Sequence, residues 1–503
     1  MNWDMRLQNR AMSALRATLV SSRGLWKILA VIALCLLVGL VGGMTLAYLT
    51  PLYTAALIVA LVGAVLVLRD TQWGFIATIG VITLLPFAAV PLDIGFEPTF
   101  LDLTVMSIFF VWVNRVATRK QGPFIATPLA VPILAFLMMI IVSMLASLGH
   151  SSLTTTFIRR FGELILGVLI YFAVVNCIRT PKQLRQVVRA LILGGTGAAL
   201  IGIALYFLPA HISSRLLSML RIVRYPSGSG VLRYVEDNPE LALRAISTSQ
   251  DPNVLGGLLI LVTGISVPQV FSKKPLLPKK WLLPMIGTMF VCLFLTYSRG
   301  SMAGLVAGIG VISVLRYRKL LWILAVVAAL ILVLPPTQTY IEHFIEGIQG
   351  QDLATQMRFG EYQDAVKVIM RHPWLGVGFT STPEINLYVG VSSVYLLIGE
   401  ATGLIGLSAF LIIMALLFFY MWQVRQRVRS DPQLEAIFWG VWCALFGALT
   451  AGWLDHYFFN IDFIHAVTLF WLYVGLGMVT WRMASEPKST TPEKSLINHS
   501  FTT

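Results

Sequence analysis

Stretches of about 18 to 22 apolar residues recur along this 503-residue chain, and that recurrence admits one class of fold. A helix rising about 1.5 Å per residue needs such a length to cross roughly 30 Å of hydrocarbon. In lipid every main-chain N–H and C=O must be paired inside the protein, so such runs fold as helices packed side by side. The predicted spans lie near 26–47, 51–68, 73–91, 99–115, 128–147, 161–178, 186–207, 253–271, 281–297, 300–315, 320–335, 391–422, 436–454 and 461–481. That makes fourteen, the shortest being 300–315 and 320–335. With 57% hydrophobic residues, 12% charged residues and a mean hydropathy of +0.80, a water-soluble fold is excluded. The expected class is an all-α integral membrane protein.

The net charge of +14 does not point to nucleic acid, because of where the basic residues fall. With a cytoplasmic N-terminus, 26 of the 37 Lys and Arg residues lie on the inner side, as the positive-inside rule expects. No cleavable signal peptide is expected, since the first apolar run is a full span without a small-residue cleavage site. Cys35, Cys177, Cys292 and Cys443 all fall in or at the ends of spans. They read as small buried residues, neither a disulfide frame nor a metal site.

The chain divides into a cytoplasmic segment 1–25, N-terminal spans over 26–207 and an outer segment 208–252. Spans over 253–335, a second outer segment 336–390, C-terminal spans over 391–481 and a disordered cytoplasmic tail 482–503 complete it. The two long outer segments are where an extramembrane element has room to fold. In the second, 358–371 carries Tyr362, Ala365, Val366 and Ile369 at helical spacing opposite Glu361, Asp364 and Lys367, which predicts an amphipathic helix. His372-Pro373 ends it and Gly376-Val-Gly378 makes a tight turn.

Ten of the eleven outer basic residues are Arg, among them Arg244, Arg299 and Arg358. Guanidinium forks onto two phosphate oxygens at once, so this selection points to an anionic ligand. The structural reading is headgroup contact or pairing with Glu236, Asp237, Glu240 and Glu361. Arg299 stands apart, since Thr296-Tyr-Ser-Arg-Gly300 leaves almost no loop between two spans to solvate it. Glu400 lies inside a predicted span, where a carboxylate needs a partner or a proton. Asp455 and His456 sit in an outer turn rich in aromatics. His456 is a candidate base near neutral pH, with a capping or interfacial role as the alternative. Asp102 and Glu163, near outer helix ends, read as structural. There is no P-loop, no G-x-G-x-x-G after a strand, no H-E-x-x-H, no Cys/His cluster and no D-x-D pair, so neither a cofactor nor a metal is expected.

Four stretches together resemble the O-antigen ligase and polymerase superfamily of bacterial membrane glycosyltransferases. They are Arg244-Ala-Ile-Ser-Thr-Ser-Gln-Asp-Pro-Asn253, Thr296-Tyr-Ser-Arg-Gly300, Arg358 through Gly378, and Tyr395 with Gly403-Leu-Ile-Gly-Leu407. The likeness covers roughly 150–480. Where the family has a His-Asn pair, this chain has Ser392-Ser393, and the family's Glu falls at Ala401, one residue after Glu400. The resemblance implies a GT-C-like bundle in the bacterial plasma membrane. It also implies inverting transfer of a glycan from undecaprenyl diphosphate to a glycan, lipid or protein acceptor at the outer face. Arg244, Arg299 and Arg358 would then bind the diphosphate, with Glu400 and His456 as candidate catalytic groups. The alternatives are a transporter or flippase for an anionic lipid or sugar, and a non-catalytic assembly partner.

A reporter that works only outside the cytoplasm is expected to be active when fused near Gly230 or Gly350 and inactive near Lys279 or Ser430. Activity at Lys279 would overturn the assignment of the spans between.

Overall fold

The computed structural model describes residues 65–91, 97–148, 154–226, 230–333, 353–379 and 391–486, with a few isolated positions elsewhere. The chain separates into two units, Met1–Arg69 and Asp70–Thr503. The predicted spans 26–47 and 51–68, Cys35 and nearly all of the tail lie outside the described residues or almost so. The helical bundle belongs to the second unit.

Each of the twelve spans predicted between 73 and 481 coincides with a helix. In order these are α1 (Thr71–Leu84), α2 (Phe100–Ala117), α3 (Ala130–Ser147), α4 (Thr155–Cys177) and α5 (Pro181–Phe207). After a short helix α6 (Ala210–Met219) come α7 (Pro252–Phe271), α8 (Lys279–Leu295), α9 (Arg299–Leu315) and α10 (Lys319–Val333). The amphipathic α11 (Leu353–Arg371) precedes α12 (Val394–Val424), α13 (Pro432–Ala451) and α14 (Ile464–Ser485). Seven of them, α2, α3, α5, α7, α12, α13 and α14, are long and apolar enough to cross a membrane. The chain is thus a multi-pass, all-α membrane protein, and the full count of fourteen crossings rests on the sequence.

Polar side chains ahead of the apolar runs set the helix starts. Asp251 precedes Pro252 and accepts the N–H groups of Asn253 and Val254, and Asp431 does the same before Pro432 for Gln433 and Leu434. Thr99 with Asp102, and Thr180 with Gln183, form reciprocal capping boxes. Asp102 therefore has the structural role expected of it. Cys177, Cys292 and Cys443 are free and buried.

Burial ranks the helices. In α14 and α7 the most apolar 18-residue windows are 94% and 89% buried, and that of α13 is 72% buried, so these three form the centre. The peripheral helices α2, α3 and α12 bury only about a third of theirs or less, as lipid-facing helices should. The contact between α9 and α13 is made main chain to main chain. A Cβ on Gly304 would meet the Gly447 carbonyl, one on Gly447 the Gly304 carbonyl, and one on Gly308 the Cys443 carbonyl. Without a hydrophobic drive between helices in lipid, such small-residue seams let dispersion hold them together.

The helix ends sort into two groups. Arg185 bonds Gln433, Ser272 bonds the Pro432 carbonyl, Arg316 pairs with Glu435 at 2.7 Å, and Arg179 reaches the carbonyls of Gly122 and Pro123. All of these belong to loops predicted on one side. At the opposite end the 208–252 segment forms α6 and a two-residue hairpin, β1 (Arg233–Tyr234) with β2 (Leu243–Arg244).

α12 contains a break. Gly403 adopts φ 68° and ψ −176°, a region open essentially to glycine alone. The loop after α11 fills the gap. Val377 N–H donates to the Glu400 carbonyl at 2.9 Å, Gly378 N–H to that of Ala401 at 3.0 Å, and Leu404 N–H to that of Pro373 at 2.7 Å. Main-chain groups freed by the break are thereby satisfied by 373–378. Gly376, at φ +66°, faces the same junction, and a Cβ there would strike the Glu400 carbonyl. Gly403→Ala and Gly376→Ala are each expected to cost roughly 2 to 4 kcal/mol, read as a lower melting temperature in detergent. Wild-type melting for both would mean that the junction is not as tight as described.

Candidate functional site at one end of the bundle

Arg244 is the innermost of the candidate arginines. β2 carries it, and the N–H of Ala245 donates to the Leu295 carbonyl at 2.8 Å, anchoring the hairpin to the end of α8. Its Nε donates to the Thr296 carbonyl at 2.8 Å and its Nη2 to Asn253 Oδ1 at 2.8 Å. Burial pushes its pKa down, while the negative charges of Asp251 and Asp455 push it up, and Arg358 pushes it down again. Arg358 and three carboxylates, those of Asp251, Asp455 and Asp237, are therefore electrostatic neighbours of Arg244, though they come from α11, the cap of α7, the α13–α14 turn and the 208–252 segment.

Arg299 is the first residue of α9. The turn before it passes through Tyr297 at φ 52°, and Ser298 caps the helix, accepting the N–H of Ser301 and donating to its hydroxyl at 2.9 Å. Arg299 Nη2 reaches Thr355 Oγ1 at 3.3 Å. Thr355 lies three residues before Arg358 on α11, so the two share a face of that helix and Arg299 is brought beside Arg358. The structure thus gathers Arg244, Arg299 and Arg358 at one end of the bundle, next to the positive end of α9.

α11 is held there by two side chains. Glu361 accepts the N–H of Ser392 at 2.9 Å, and the Tyr362 hydroxyl is placed at 3.0 Å from the Ser392 carbonyl and 2.9 Å from that of Trp453. Burial raises the Tyr362 pKa, so the hydroxyl keeps its proton for these contacts. The predicted amphipathic pattern is shifted slightly: Ala365 and Val368 are buried, whereas Val366 is exposed together with Phe359 and Met370. Val366 fails to pack because it lies one position round the helix from the face that meets α12.

The carboxyl group among these arginines is that of Asp455, in the turn between α13 and α14. Its carbonyl and that of Gly452 accept the Val394 N–H, tying the turn to the start of α12. Its Oδ1 accepts the N–H of His456 at 3.0 Å. Burial raises its pKa most, the neighbouring His456 and Arg358 lower it, and Asp251 raises it. Its other oxygen accepts no hydrogen bond from any described residue, which leaves a lone pair for something outside the chain. The Tyr457 hydroxyl next door lies 3.4 Å from Ser301 Oγ, closing the ring back to α9.

His456 has a defined tautomer. Asn460 Oδ1 accepts the N–H of Asp462 at 2.7 Å, which turns the Asn460 amide nitrogen toward His456 Nδ1 at 2.9 Å. Neutral His456 therefore carries its proton on Nε2 and presents a donor. Glu400 is joined to this group by no side-chain hydrogen bond or ion pair among the described residues. It is the seventh residue of α12, its carbonyl belongs to the Gly403 junction, and its carboxyl makes no ion pair or hydrogen bond with a described residue. Ser392 lends only its main chain to the site.

Other arginines predicted on the outer side have structural partners. Arg160 pairs with Asp462, Arg224 with Glu97, Arg159 with Glu163 at 3.5 Å and Arg233 with Asp237 at 3.9 Å. Sequence reasoning misses Asp251 and Tyr362. The acid before Pro252-Asn253 and the tyrosine one turn after Arg358 are the available signals.

Among the described residues no group of three or more His, Cys, Asp or Glu could hold a metal. Residues 284–411 match the family described as O-antigen ligase. That stretch holds Arg299, α11, the 373–378 loop and the first part of α12; Arg244 precedes it and Asp455 comes after it. No curated protein matches the chain.

Tyr362→Phe is expected to loosen α11 by about 1 to 3 kcal/mol, speeding amide exchange over 355–371 by about five- to a hundredfold. Unchanged exchange would mean that α11 is held by its apolar face alone.

Proposed function

We propose that this chain, whose residues 284–411 match the family described as O-antigen ligase, transfers a glycan from undecaprenyl diphosphate to an acceptor hydroxyl at the outer face of the bacterial plasma membrane. The observation that carries the reading is that Arg244 and Arg358 are electrostatic neighbours of Asp455, with Arg299 tied to the Arg358 helix through Thr355, although these residues come from segments far apart in sequence.

The chemistry derives from the groups present. The acceptor oxygen attacks the anomeric carbon, the bond from that carbon to the diphosphate oxygen breaks, and the diphosphate leaves with the electron pair. Negative charge grows on the leaving group, and forked guanidinium groups in a partly desolvated site stabilise it there. Asp455 takes the acceptor's proton through its free oxygen, and the Nε2–H of His456 donates to the substrate. Glu400 stays the alternative proton acceptor. Neither nucleotide nor metal has a part in this scheme. The Ser392 departure favours one rival, a non-catalytic assembly partner.

Transfer by the purified chain from a lipid diphosphate-linked glycan is expected to survive EDTA. Arg299→Ala should lose about ten- to a hundredfold in rate, with Arg299→Lys between it and wild type and Arg221→Ala nearly unaffected. Asp455→Asn should lose about a hundredfold or more, whereas Glu400→Gln should stay within about threefold. The base works unprotonated and burial raises the Asp455 pKa. The acid limb of the rate is therefore expected above the usual aspartate value of about 3.9, and Asp455→Asn should abolish it. Full activity of a well-folded Arg299→Ala would sink the diphosphate clamp. No transfer by wild type, with surface polysaccharide still lost on gene deletion, would favour the assembly partner.

A further inference from the structure

At the opposite end of the bundle an apolar cleft of about 320 Å³ opens between α7, α8, α9 and α10. Thr263, Phe271, Leu283, Gly287, Ile309 and Leu320 are among its walls. Along α7 it runs from Thr263 to Phe271, eight residues or about 12 Å, close to the depth of one leaflet. Leu283 and Ile323, both on the cleft, are exposed, so it faces the lipid side of the bundle.

The mouth of the cleft is ringed by positive charge. Phe271 is two residues from Lys273 and three from Lys274, Leu283 is three residues from Lys280, and Leu320 is next to Lys319. Lys273, Lys274, Lys279, Lys280, Arg318 and Lys319 are all exposed there, whereas Arg316 is engaged by Glu435. Phe271 packs on Tyr317 with ring centroids 5.3 Å apart, holding the two basic turns next to one another. The positive-inside bias alone accounts for basic turns, but it does not require an apolar slot one leaflet deep to open beneath two of them.

We propose that this cleft holds one chain of an anionic phospholipid of the leaflet on the basic side, with the headgroup phosphate between the α7–α8 and α9–α10 turns. Apolar walls take the chain, and clustered Lys and Arg at the interface select the headgroup charge. The depth of one leaflet separates this lipid from any substrate at the far end of the bundle.

Gly287 supplies the test, because it lines the cleft and a Cβ there meets nothing within 4 Å, so a side chain can be started from the cleft wall. The full chain is purified in detergent with equal amounts of phosphatidylglycerol and phosphatidylcholine, and retained lipids are counted by native mass spectrometry. Wild type is expected to retain one lipid with at least about a fivefold preference for phosphatidylglycerol. Gly287→Phe should lose it with an unchanged lipid-free melting temperature, and Gly287→Leu should weaken it if the larger variant does not fold. Lys279→Gln with Lys280→Gln should bring the preference close to one, as should high salt. Equal retention of both lipids by wild type, or undiminished retention by a folded Gly287 variant, would overturn the proposal.

Discussion

Main chain touching main chain between α9 and α13 is the contact on which the arrangement at the site depends. In water, burying apolar side chains would hold two helices at many separations; in lipid that drive is absent, and closeness has to come from shape. Gly304, Gly308 and Gly447 permit it. Because α9 begins at Arg299 and α13 ends just before the turn that holds Asp455, fixing this seam fixes a guanidinium and a carboxyl relative to one another. α7, one of the most buried helices, packs on both sides of the seam, its Ile260 meeting Gly304 and Gly447.

Three guanidinium groups at one place repel, and the site offsets this with the buried carboxyl of Asp455 and the half-buried one of Asp251. Asp251 and Asp455 favour the charged form of Arg244 against both desolvation and Arg358. Asp251 also caps α7, so one carboxylate serves a helix start and a charge cluster together. An arrangement with partly compensated charge tolerates an empty state and still has cationic forks to offer a dianionic group.

Much of the architecture is legible in the sequence because the membrane imposes length and polarity on each span, and the spanning helices between α1 and α14 lie where apolar runs predict them. The break at Gly403 is not legible. Gly403-Leu-Ile-Gly reads as an ordinary stretch of apolar helix, and what makes the break tolerable is a loop some thirty residues earlier in sequence. The arginines stand out in the sequence because ten of the eleven outer basic residues are Arg, and Arg299 further because almost no loop is left to solvate it. Asp455 reads there only as the neighbour of His456 in an aromatic turn, because nothing local reveals that Arg358, almost a hundred residues away, is close to it. His456 is legible as a titratable ring, whereas its tautomer depends on which way the Asn460 amide turns, and that is set by the N–H of Asp462.

By the resemblance read from the sequence, Ser392 falls where the superfamily has a histidine. α11 grips this residue by its amide and its carbonyl, through Glu361 and Tyr362, and leaves its hydroxyl unused among the described residues. Any L-amino acid other than proline offers the same two handles. The joint between α11 and the bundle is therefore indifferent to the identity of the side chain at 392, so chemistry can be gained or lost at that spot while the scaffold around it stays intact.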